Sequence, residues 1–124
     1  MKFLCMIYHA DQARDAISDA DWQSFMREGI ARFDDLAAEG TALGGSALQP
    51  GRTAVTVRVR DGKASFTDGP FMETKEQLAG YVLIEAPDIG AAAEVAATLP
   101  PGRIGPIEVR PLWEYEDIMA RRTT

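Results

Sequence analysis

One cysteine and one histidine are all that this 124-residue chain has of the side chains that most often hold transition metals. They stand in no His-x-x-x-His or Cys-x-x-Cys spacing, so no metal site is expected. A single thiol, Cys5, excludes an internal disulfide. It lies within the apolar run of residues 3–8 with no cation beside it, which reads as a small buried hydrophobe and not a nucleophile. Long apolar stretches are also missing. That run is far short of the ~20 residues that cross a bilayer, and no signal-peptide pattern opens the chain. A cytoplasmic location is therefore the expectation. Basic residues are outnumbered, 13 against 19 acidic, for a net charge of −6. That balance argues against gripping nucleic-acid phosphates or an anionic membrane surface. Gly44-Gly45 lacks the strand, glycine loop and helix of a nucleotide site, and no serine sits in a Gly-x-Ser-x-Gly elbow. No cofactor is expected.

What is present is a regular alternation of strand and helix patterns, enough for one domain over residues 1–124. Residues 2–8 are apolar on both alternating sets (Phe3, Cys5, Ile7 and Leu4, Met6, Tyr8), which predicts a central strand buried on both faces. A polar loop follows, and Ser18 or Asp19 can cap a helix over 21–39. Its stripe is Trp22, Phe25, Met26, Gly29, Phe33, Leu36 and Ala37. Residues 41–48 predict a strand weakened by its glycines. Residues 53–60 alternate, with Val55, Val57 and Val59 expected inward, and Asp61-Gly62 predicts a hairpin into 63–67. Residues 78–86 predict another strand apolar on both faces. Asp88 opens a second helix with a stripe of Ile89, Ala92, Ala93, Ala96 and Leu99. Residues 105–113 predict the last strand, and 114–124 a charged tail.

The order is β-α-β-β-α-β with an extra β-hairpin, a ferredoxin-like α+β plan. Two helices cover one face of such a sheet. The other face, apolar in the first strand and in Tyr81 to Ile84, would exceed the bare apolar area a monomer tolerates. A second copy is the expected cover, closing a dimeric α+β barrel. The rival is the tail, whose Trp113, Tyr115, Ile118 and Met119 could fold across it.

The stretch Asp68-Gly69-Pro70-Phe71-Met72-Glu73-Thr74-Lys75-Glu76-Gln77-Leu78-Ala79-Gly80-Tyr81 resembles the signature of the DGPF branch of the YCII-related proteins. Ala47-Leu48-Gln49-Pro50, Thr56-Val57-Arg58, and Pro100-Pro101-Gly102-Arg103 leading into Glu108-Val109-Arg110-Pro111 extend the likeness over nearly the whole chain. Met72 and Ala79 depart from the usual alanine and glycine. The resemblance implies a dimeric α+β barrel with a cavity suited to proton transfer, as in muconolactone-isomerase-like and dehydrochlorinase-like enzymes. Enzymatic YCII relatives use a histidine on the first helix with an aspartate near the last strand. Here the histidine precedes the helix, and Pro-Pro-Gly-Arg stands at the expected aspartate, so that mechanism does not carry over. The resemblance also implies, as a partner, an extracytoplasmic-function sigma factor.

Asp68 ends a strand before Gly69-Pro70, and an apolar pocket beside Phe71 would raise its pKa toward acid–base work; its structural reading is a turn carboxylate bonding backbone amides. His9 ends the first strand, where a pocket can open, and can shuttle protons near neutral pH; its plain reading is surface. Glu73 and Lys75 read as a polar wall for a ligand or as a surface pair. Tyr81 offers a hydroxyl or packs as core, and Arg110 binds a carboxylate or pairs within the sheet. Two functions follow. One is a small-molecule enzyme of isomerase or lyase type, with Asp68 and His9 as acid and base. The other is a non-catalytic ligand-binding or regulatory module working with a sigma factor.

Overall fold

The computed structural model describes residues 1–120. In chain order the elements are β1 (Lys2–Ala10), α1 (Asp11–Asp15), α2 (Asp19–Ala38), β2 (Ala42–Ala47), β3 (Val55–Arg60), β4 (Lys63–Asp68), β5 (Glu76–Glu85), α3 (Ile89–Ala97), β6 (Ile107–Pro111) and α4 (Tyr115–Ala120). Residues 121–124 of the expected tail lie outside the described residues. β2, β5, β1 and β6 form one antiparallel sheet in that order, and β3 pairs with β4 in a separate two-stranded sheet. Without the hairpin and the short helices this is β-α-β-β-α-β, the expected α+β class.

The strand that is apolar on both sets lies between two neighbours, as its pattern requires. Its odd residues Phe3, Cys5 and Ile7 meet Val82 and Ile84 of β5, Leu36 of α2, and Ala92 and Ala96 of α3 in the core. Alanine lets α3 lie close to the sheet. Burial also pushes the Cys5 thiol above its ordinary pKa, which keeps it protonated and inert. Both long helices start on side-chain caps. Ser18 Oγ accepts from the Asp21 N–H at 3.2 Å, and Asp88 Oδ1 from the Ala91 N–H at 2.8 Å.

Leu4, Met6 and Leu83 lie on the helix-free face and are only half-buried, with Tyr81 among the exposed residues beside them. The tail does not cover this face with its own apolar groups: Trp113, Tyr115, Ile118 and Met119 remain exposed.

Val55, Val57 and Val59 do not point inward as expected. With Phe66 they are 54–69% exposed on the β3–β4 hairpin. Alternation identifies an apolar strand face but not what covers it, and no other element among the described residues does. The turn follows the sequence closely: Asp61 and Gly62 both have positive φ, 51° and 74°.

Candidate functional site

Beneath α2, against the ends of β1, β2 and β5, lies a cavity of about 480 Å³. One wall is the helix stripe Trp22, Phe25, Met26, Gly29 and Phe33. Periodicity marks these residues as core, yet Leu36 is the only fully buried member of α2. Phe33 packs against the core, while toward Trp22 the facing wall is built of small residues, Gly45, Ser46, Ala47, Ala79 and Gly80, which leave the space unfilled. Gly45 is also where β2 packs tightly on its neighbours. A Cβ there would lie 2.6 Å from the Tyr81 carbonyl oxygen and 3.2 Å from the Phe33 ring. At Gly29 the opposite holds, since an added Cβ meets nothing within 4 Å.

His9 enters this cavity from the sheet. Odd residues of β1 face the helices, and the register shift between Ile7 and Tyr8 is taken up on β5, so His9 keeps that orientation. The end of β1 is fixed by the Tyr8 N–H, which donates to the Pro106 carbonyl at 3.0 Å. Gly105 passes so close that any side chain there would collide with the Tyr8 carbonyl. The imidazole meets Trp22 edge-on, ring centres 6.4 Å apart, and Trp22 continues to Phe25 at 6.0 Å. His9 Nδ1 is buried with no hydrogen-bond partner among the described residues. Burial lowers the imidazole pKa from its ordinary 6.5; the Arg14 guanidinium adds to this and Asp11 opposes it. An imidazolium would need an acceptor at both nitrogens, and Nδ1 has none. Burial and Arg14 together favour the neutral form of His9.

Arg14, on α1, also lines the cavity. Sequence reading missed it because a polar loop residue between acids looks solvated, and it expected a cavity formed by two copies and not one under α2, because a stripe of large residues looks packed. The glycine within that stripe was the available sign of room.

The other expected site residues fall elsewhere. Asp68 is exposed at the end of β4 and is not among the residues lining the cavity, so one chain does not bring it to His9. Its Gly69, at φ 94°, makes the turn: the Gly69 N–H donates to the Ala54 carbonyl at 2.7 Å, and its carbonyl accepts from Thr56 Oγ1 at 2.8 Å. Glu73 and Lys75 are exposed and have no ion-pair partner among the described residues. The loop carrying them is tied by Gln77, whose Nε2 donates to the Met72 and Thr74 carbonyls at 3.1 and 2.8 Å. Tyr81 borders the cavity, while its pairing with Met6 sets its side chain among the helix-free face. Arg110 pairs with Glu108 on β6.

The family model of the YCII-related domain matches residues 1–116. The chain belongs to the YCII-related family. This YCII-related chain is 33% identical over 119 residues to an uncharacterised protein of Rhizobium meliloti (strain 1021), spanning 94% of the chain and 95% of that relative. It also superposes on 5-chloro-2-hydroxyhydroquinone dehydrochlorinase from Burkholderia phenoliruptrix, solved with 2,5-dihydroxybenzoquinone. The TM-score is 0.55 at 12% identity, covering 94% of this chain and 97% of that one. At that identity the YCII-related chain and the dehydrochlorinase share a fold, an α+β barrel type, and the likeness extends no further.

Proposed function

We propose that this YCII-related protein binds a small, mainly apolar molecule in the cavity under α2 and moves a proton on it, in an isomerase- or lyase-like reaction with His9 as the acid–base group. The observation that carries this reading is the half-buried His9 imidazole in the wall of a mainly apolar cavity. An imidazole is the one side chain whose ordinary pKa suits proton movement near neutral pH, and here it stands in the wall of a cavity sized for a small molecule. A dehydrochlorinase on the same fold is compatible with such chemistry. Asp68 joins His9 in this reading only if a second copy or a closure brings it to the cavity.

The chain acts as a homodimer in this proposal. The bare face around Leu4, Met6, Tyr81 and Leu83 and the exposed valines of the hairpin support a second copy as their cover.

Proton transfer is testable before the product is known. A panel of small cyclic enones, lactones and hydroxyquinones is incubated with the protein in deuterated water, and deuterium incorporation is followed by NMR. Enzyme-dependent exchange that disappears in His9→Gln supports the reading. Exchange that persists in His9→Gln removes His9, and exchange unchanged in Asp68→Asn removes Asp68. Binding without any exchange favours the non-catalytic module, for which a neighbouring sigma factor is the partner to test.

A further inference from the structure

We propose that Arg14 anchors an anionic group of the molecule held under α2, which makes the ligand class a monoanion with a flat apolar body, such as an aromatic carboxylate. The inference rests on the reading of this cavity as a ligand site and adds what the site selects.

Arg14 is only 17% exposed, although the two carboxylates that meet it are on the outside. Nη2 lies 3.3 Å from Asp11 Oδ1 and Nε 3.2 Å from Asp15 Oδ1, with Asp11 59% and Asp15 70% exposed. Exposed pairs of this kind contribute little, and their carboxylates can turn back to water with small loss. A guanidinium has five N–H donors, so two such contacts leave several for an incoming carboxylate, which it matches as a fork. The lining holds no second arginine and no lysine, and the rings of Trp22, Phe25 and Phe33 give a flat body something to lie against. Placing the anion at Arg14 sets the remainder of the molecule beside His9, which lines the same cavity and feels the charge of Arg14. Orientation and proton transfer are then divided between two side chains that follow one another at the end of β1 and on α1.

The test compares two probes of equal shape, 2-naphthoate and its neutral amide 2-naphthamide, by calorimetry. The indole N–H resonance of Trp22 reports binding in the cavity, and a Trp113→Phe background leaves it alone in the spectrum. The expected result is naphthoate bound about tenfold tighter than the amide, the scale of one charge-assisted hydrogen bond. Arg14→Gln should remove that preference while leaving amide affinity unchanged. An Asp11→Asn, Asp15→Asn double variant, which frees the guanidinium, should tighten naphthoate further. Equal affinity for the two probes in the wild type, or a preference that survives Arg14→Gln, overturns the role of Arg14 and leaves the cavity reading standing. If neither probe moves the Trp22 resonance, both fall.

Discussion

Replacing Gly29 by leucine should stabilise the protein and weaken ligand binding at the same time. Glycine inside a helix is about 1 kcal/mol less favourable than alanine, and leucine is close to alanine on that scale. A fully buried leucine side chain contributes about 1.5–3 kcal/mol. Gly29 is half-buried, on the open side of α2, so about half of that applies. The two effects together give a gain of about 2 kcal/mol, or a Tm higher by roughly 5–10 °C for a chain of this length. The new side chain occupies the space between Trp22 and Phe33, and 2-naphthoate binding should fall at least about tenfold. Gly45→Ala is the contrasting variant. Its Cβ would press on the Tyr81 carbonyl and the Phe33 ring, and overpacking of that kind costs about 1–3 kcal/mol. Thermal unfolding by circular dichroism reads both. A Gly29→Leu protein that melts lower than wild type, while Gly29→Ala melts higher, would mean that the space under α2 does not exist, and the argument built on it would fail.

The single histidine gives one resolvable imidazole resonance. Its titration midpoint should lie below 6.5, because burial and Arg14 both oppose the charged form. Below pH 6.5 the unfolded chain therefore binds more protons than the native one, so stability should decline as pH falls from 6.5 toward the native midpoint. Chemical denaturation of His9→Gln should show a weaker decline over that window; an identical profile would remove His9 as its source. Ser18→Ala should cost about 1 kcal/mol through loss of the α2 cap, measured as a lower denaturant midpoint at unchanged slope. Leu83→Glu, on the helix-free face, should convert a two-copy species into a single copy in sedimentation velocity. A wild type that already sediments as one copy at micromolar concentration contradicts the proposed dimer.

The parts of the fold that were legible from residues were those set by local chemistry. Both helix caps, the Asp61-Gly62 turn and the central position of β1 follow from side chains acting within a few residues of themselves. The valines of β3 were misread because pattern reports which face is apolar and not which layer meets it. The position of the cavity, under α2, was illegible for a related reason. Helical spacing placed Trp22, Phe25 and Phe33 on the correct face, but whether a face packs or stands off depends on the volume of residues far away in sequence, here Gly45, Ala47 and Gly80. His9 was legible because it ends a strand whose direction is fixed. Arg14 was not, since its environment comes from elements that sequence order does not bring near it.

The backbone lock at Gly105 has a consequence for how such a protein can diversify. It immobilises the strand end that presents His9, whereas the surfaces that define shape and polarity belong to α1 and α2. Substitutions on those helices can therefore redraw what is admitted without relocating His9. Under the proposed function, selectivity and reactivity reside on separate pieces of the scaffold, so relatives with the same strand end but different helix faces should keep a type of reaction while exchanging the molecules on which it is performed.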